Sequence, residues 1–141
     1  MANDCIAFYD EGVDISCQAT ATVTGRRFVD VSGAKQVASE ALASTSVGGN
    51  VLAAHCGAGG RAFGVSSYDC ASGSKFYALR GSKVVPVESG AAVTAGAQVM
   101  SDSVGRAITW TSAASEANNK LGKALNTTTA AGQTVLVALS L

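Results

Sequence analysis

Charge is scarce in this chain. Asp, Glu, Lys and Arg together supply 14% of its residues, against about 25% in an ordinary soluble domain. Ten bases and ten acids cancel. The chain therefore lacks the clustered Lys and Arg that DNA or RNA binding requires, and no nucleic-acid partner is expected. Aromatic residues are equally thin, at 6%. There is one Pro and one His, so nucleophilic catalysis has a single histidine to draw on. No apolar run approaches the roughly 18 residues of a membrane helix, and no membrane partner is expected. The start, Met1-Ala2-Asn3-Asp4-Cys5, has neither a basic n-region nor an apolar h-region. The expectation is a protein synthesised in the cytoplasm without export, or released by lysis.

Small residues take the place of charge. Ala, Gly, Ser and Thr make up 69 of the 141 residues, and Val adds 16. This length suits one domain with at most an arm. Its core must be built from Val and small side chains. Low charge and high Val content argue against disorder. A neutral surface without self-repulsion suits close packing against copies of itself or a partner.

The clearest periodicity lies at residues 13–24. Val13, Ile15, Cys17, Ala19, Ala21 and Val23 alternate with polar residues, which predicts a half-buried strand. Gly25 ends it, and Arg26 to Val31 predicts a second strand that forms a hairpin with the first. Ala34 to Ala43 has helical spacing, and the Ser- and Gly-rich run to Asn50 reads as a link. Eight further strands are predicted at Val51–Ala54, Arg61–Ser66, Lys75–Leu79, Lys83–Val87, Ala97–Ser101, Arg106–Thr111, Leu121–Leu125 and Thr134–Leu139. Turn signals separate them, and the short spacing implies a sandwich or small barrel. Pro86 places its strand at an edge or bulge. Ser112 to Lys120 fits a short helix or a loop. No fixed-period repeat is evident.

The motifs point away from chemistry. Gly57-Ala58-Gly59-Gly60-Arg61-Ala62 fits a loose dinucleotide pattern, but strand-like residues follow it and no acid stands about 20 positions on, so it reads as a turn. No Walker loop is present. His55 and Cys56 are adjacent, and neighbours in a strand face opposite ways, a poor arrangement for a base and its nucleophile. Cys5, Cys17, Cys56 and Cys70 lack the short spacing of structural zinc, so no metal is expected. Reduced thiols are expected in a cytosolic product, with a Cys56–Cys70 bridge as the alternative. Asn126-Thr127-Thr128 reads as a turn. No enzyme activity and no cofactor are expected.

Arg61-Ala62-Phe63-Gly64-Val65, Asp69 to Ser74, Leu79 to Val87, Ala95-Gly96, Asp102 to Ala107, Leu121 to Leu125 and Gly132-Gln133-Thr134-Val135 follow one another in an order that resembles the decoration (cementing) proteins of tailed-bacteriophage heads. Asp14 to Ala21 and Arg27-Phe28-Val29-Asp30 look like the versions from phages of actinobacteria. The resemblance implies a non-enzymatic virion protein on the outer capsid surface, commonly a homotrimer at local threefold axes. Its implied partners are the major capsid protein and further copies of itself.

The expected fold is mainly β, a small β-sandwich or barrel-like (β-tulip-like) domain with an extended N-terminal β arm. Residues 1–35 are expected to form a capsid-docking arm with a β-hairpin, 36–50 a linker and 51–141 the compact domain. Ile6, Phe8, Tyr9, Val13, Ile15, Arg26, Arg27 and Phe28 are the candidate docking residues. The expected mode is addition of residues 13–24 as a strand to a capsid sheet. A tail-tube or head-fibre component, or a module that binds host-surface glycans, is the alternative.

Overall fold

Alternation of small apolar and polar side chains gives ten short strands in the computed structural model, which describes residues 14–34, 50–112 and 118–141. They are β1 (Ile15–Ala19), β2 (Phe28–Val31), β3 (Val51–His55), β4 (Gly64–Ser66), β5 (Lys75–Leu79), β6 (Val84–Glu88), β7 (Gln98–Ser101), β8 (Ala107–Thr109), β9 (Gly122–Ala124) and β10 (Thr134–Leu139). Among the described residues there is no helix. Successive side chains of a strand point to opposite faces. In β1 Ile15, Cys17 and Ala19 are buried, and in β10 Val135, Val137 and Leu139 are.

The first five strands close into a barrel in the order β1-β3-β2-β4-β5, with β1 also paired to β5. The last five form a sheet in the order β6-β10-β9-β7-β8. Followed round the other way, the barrel runs β1-β5-β4-β2-β3, strand for strand the order of the second sheet. All ladders in both units are antiparallel except where β3 lies parallel to β1. The corresponding place in the second unit holds a parallel bridge, Ser89 to Ala107. The second sheet therefore curls nearly shut where the first is sealed.

Each unit carries the same internal brace. Val23 and Cys70 exchange two backbone hydrogen bonds of 2.8 Å, and Val93 and Thr128 exchange two of 2.8 and 3.1 Å. Three or four residues past each bridging residue the chain turns through positive φ, at Arg26 (59°), Gly73 (83°), Gly96 (85°) and Gly132 (82°). The bridging residues lie 47, 23 and 35 positions apart along the chain. Loops of unequal length thus hide a structural repeat that no fixed sequence period reveals.

Two cores result. Ile15, Cys17, Val23, Val29, Ala53, Phe76 and Ala78 fill the first barrel. The other core combines Val85, Val87, Val99, Leu121, Val135 and Val137 of the second unit with Phe28, Cys56 and Val65 of the first. β2 is thus buried on both faces at its start, Val29 toward the barrel interior and Phe28 into the seam. Hydrogen bonds stitch the seam: Phe28 N–H to the Gly105 carbonyl (2.6 Å), Glu88 N–H to the Arg26 carbonyl (2.8 Å) and Gly59 N–H to the Ser101 carbonyl (2.9 Å). Gly105 has φ +84°, and a Cβ there would lie 2.5 Å from the Phe28 carbonyl oxygen. Only glycine allows this approach.

The eight strands expected from Val51 onward are all present: β5 and β10 have the expected bounds, β4, β7, β8 and β9 are trimmed, β3 runs one residue further and β6 is shifted by one; Pro86 lies on β6, an edge of its sheet. The N-terminal expectations need correction. The long strand at 13–24 is cut to five residues, because Val23 leaves the ladder to bridge Cys70. It forms no hairpin with β2, since β3 lies between them. Residues 15–31 are therefore integral to the barrel and not part of an arm. The helix expected at Ala34–Ala43 lies, past Ala34, outside the described residues, and so does the middle of Ser112–Lys120.

Candidate interaction surfaces

Of the residues singled out for capsid docking, Ile6, Phe8, Tyr9 and Val13 lie outside the described residues. The other four are occupied within the chain. Ile15 is 2% exposed inside the barrel and Phe28 is fully buried in the seam. Neither side chain is available to a partner. Arg27 makes a two-pronged ion pair with Glu88 of β6, at 2.9 and 3.2 Å. Arg26 donates from Nη1 to the Thr134 hydroxyl at 3.0 Å. These residues join the two units to each other. Strand addition at β1 also fails, because β3 and β5 already pair with both of its edges.

Catalytic geometry is missing at the places where sequence made it worth testing. Nε2 of His55 accepts a hydrogen bond from the Thr24 backbone N–H at 2.8 Å. Burial pushes the His55 pKa down and the Arg27 charge adds to this, while Glu88 and Asp102 pull the other way without reversing it. The neutral ring serves as a structural acceptor for the Thr24–Arg27 turn. Burial raises the thiols of Cys17 and Cys56 to about 11, which keeps them protonated and poorly nucleophilic. Cys56 and Cys70 are unpaired and belong to different cores. Among the described residues no three His, Cys, Asp or Glu side chains cluster as metal ligands. The Gly57–Gly60 run is a turn, closed by a 3.1 Å bond from Gly60 N–H to the Gly57 carbonyl.

Two surfaces stand out. The first is the outer face of β6 and β10 with the adjoining end of β9. Val84 is 56% exposed there, Leu136 41% and the neighbouring Leu125 49%. Pro86 is opposite Leu136 in the ladder, and Leu125 donates its N–H to the Leu136 carbonyl, so the four lie together. Sequence reading passed over this patch. Val84-Val85-Pro86-Val87 and Val135-Leu136-Val137 are unbroken apolar runs. Such runs suit a strand core equally well, whereas period 2 puts half of each on the outside.

The second surface is a cleft of about 280 Å³ between the units. Its walls include Asp30, Arg61, Phe63 and Arg80 from the first unit and Lys120 and Leu141 from the second. The Arg80 guanidinium stacks on the Phe63 ring at 4.4 Å, and its Nε donates to the Phe63 carbonyl at 3.0 Å. Lys120 stacks on Trp110 at 4.2 Å. The ion pairs among described residues involve Arg27, Lys83 and Arg106, so Arg61, Arg80 and Lys120 have no ion-pair partner among the described residues.

The sequence profile of the phage cement protein family matches residues 8–139. The chain belongs to that family. It is a phage head structural protein, with the all-β fold expected of it. Among curated proteins, none matches its sequence. Among solved structures, it is similar to the N base of head fiber gp8.5 in bacteriophage phi29. The TM-score is 0.69 at 16% identity, over 91% of this chain and 93% of the other. At that identity the likeness concerns the fold, and it extends across both five-stranded units of this cement-family chain.

Proposed function

We propose that this protein binds the outer surface of the phage head as a homotrimer at local threefold axes and cements major capsid protein subunits against the pressure of packaged DNA. The family match over residues 8–139 carries this reading. The first barrel has no edge to donate, β6 bears Pro86 on its edge, and β8, the other edge of the second sheet, is three residues long and bridged to Ser89 at Ala107, which leaves little room for strand addition. Docking therefore uses side-chain faces. The apolar patch of Val84, Pro86, Leu125 and Leu136 is the described surface best suited to it, and residues 1–13, with Ile6, Phe8, Tyr9 and Val13, supply a second contact. Three copies held together bind with avidity, so each contact can be weak.

The test uses particles that lack the protein. Such particles, with and without added protein, are heated and DNA release is followed. Release at lower temperature from bare particles is expected, because a ligand that binds only the intact shell stabilises it. Leu136→Asp with Val84→Asp should abolish co-sedimentation with capsids. Deletion of residues 1–13 should weaken it while leaving the barrel folded. Identical release curves at full occupancy would refute cementing.

The phi29 likeness favours a second reading, in which the protein is the base of a head fibre. A fibre base would recruit a further virion protein to the particle while leaving the DNA release temperature unchanged.

A further inference from the structure

The pairing register matches the two units residue by residue. Ser16 faces Tyr77 across β1 and β5 as Pro86 faces Leu136 across β6 and β10. Ser67 donates its N–H to the Tyr77 carbonyl at 3.0 Å, as Leu125 does to the Leu136 carbonyl at 2.8 Å. Side chains correspond as well. The Tyr68 hydroxyl donates to the Lys75 carbonyl at 3.2 Å, and the Asn126 amide donates to the Thr134 carbonyl at 3.1 Å. Tyr77 thus holds the place of Leu136, and Tyr68 that of Asn126, the neighbour of Leu125.

Both places expose apolar surface. Tyr77 is 51% exposed and Tyr68 46%. Their rings meet edge to face, with 6.4 Å between centroids. The bond to Lys75 holds Tyr68 in position before any partner arrives, which lowers the ordering cost of a contact made on it. Tyrosine joins a broad apolar ring to a polar tip and is enriched where proteins meet. On neighbouring strands the outer faces diverge. Phe28 and Val65, which pack into the seam, correspond to the polar pair Gln98 and Lys123 of the second unit. The outside of β5 and β10 keeps its exposed apolar character in both units, although the residues that provide it differ.

Given the docking of the Leu136 face proposed above, we infer that Tyr68 and Tyr77 form an equivalent docking face, so that one chain holds two copies of the major capsid protein by the same part of each. Matched faces on two copies of one unit fit matched sites, and a shell of many identical subunits offers such sites side by side. Binding at one face raises the effective concentration at the other.

The test places the photo-crosslinking residue p-benzoylphenylalanine at position 77 or at position 136 of the full chain. Each variant is bound to heads that lack the protein and irradiated, and the adducts are mapped by peptide mass. Both positions are expected to cross-link to the major capsid protein, within one and the same stretch of its sequence. Tyr68→Ser with Tyr77→Ser should weaken co-sedimentation with heads at least tenfold, in a chain whose urea midpoint shows it folded. Adducts from position 77 to a second copy of this chain, to the chain itself or to a different stretch of the capsid protein would overturn the inference. So would an adduct from position 136 with none from position 77, and that result would leave the proposed function standing. Adducts from neither position, on heads that carry the chain, would refute docking through the Leu136 face together with the inference.

Discussion

The two five-stranded units share a strand order and a brace, yet they handle the same turn differently. In the second unit both turns that follow a bridging residue place glycine at positive φ, Gly96 and Gly132. In the first, Gly73 does so after Cys70, but Arg26 stands at the corresponding position after Val23. The residues around Arg26 also do different work. Its carbonyl and side chain both reach the second unit, Arg27 pairs with Glu88, and Phe28 fills the seam. A turn that elsewhere only reverses the chain is here used to join the units, and it carries side chains that glycine would not supply.

The largest effect should come from breaking that joint. Phe28→Ala is expected to destabilise the protein by about 3–5 kcal/mol, as for a fully buried aromatic. Urea unfolding measures it. The outcome also decides between two roles: a docking Phe28 would leave stability nearly unchanged and lose capsid binding. Next comes Gly105→Ala. The added Cβ meets the Phe28 carbonyl at a residue of positive φ, so a loss of more than about 2 kcal/mol is expected. Hydrogen exchange should show the seam amides, Phe28 and Glu88, losing protection before the interior of the first barrel.

The sequence made the strands visible and concealed how they pair. Turn signals and short spacing located every strand from Val51 onward, because both are local properties. Pairing is not local. Val13 to Val23 reads as one long strand, yet the pairing of Val23 with Cys70, 47 residues away, takes its end out of the ladder. The parallel insertion of β3 beside β1 left no mark in either segment. Phe28 looked like a docking aromatic because strand alternation assigns one buried face. A strand at a seam has two, and only the packing of the second unit reveals that. The apolar outer face was missed for the converse reason: Leu136 and Val84 sit within runs that suit a core equally well.

Acid should separate the units in a pH-dependent way that is smaller than either seam substitution. His55 holds the Thr24–Arg27 turn of the first unit as a neutral acceptor. Its pKa in the fold lies below the ordinary 6.5, so the unfolded chain takes up the proton first. Stability from this group is complete above about 6.5 and declines as pH falls from there through the lowered value. Asp102 plays a comparable part in the second unit. Burial opposes its charge, but the N–H groups of Arg106 and Val104 and the Arg106 guanidinium hold its pKa below 3.8. Its contribution persists down to about that pH and is lost only below it. Urea midpoints measured from pH 7.5 to 4.5 should therefore fall in the wild type, and fall less in His55→Gln. Equal slopes in the two proteins would remove His55 from the account.

The smallest effect tests the comparison most directly. A non-glycine residue at positive φ costs about 1 kcal/mol or more. Arg26→Gly relieves that strain and gives up the exposed hydrogen bond to Thr134, worth about 0.5 kcal/mol, while glycine adds freedom to the unfolded chain. The expected net is a gain of a few tenths of a kcal/mol, read as a raised urea midpoint at unchanged slope. Gly96→Ala is the matched experiment in the other unit. A Cβ there meets nothing within 4 Å, so the substitution reports backbone strain alone and should cost about 1 kcal/mol. If the two turns are equivalent, the substitutions shift stability in opposite directions. A loss on Arg26→Gly comparable to that of Gly96→Ala would mean that the side-chain contacts of Arg26 across the seam outweigh its strain, and that the first turn is held by its role as a joint.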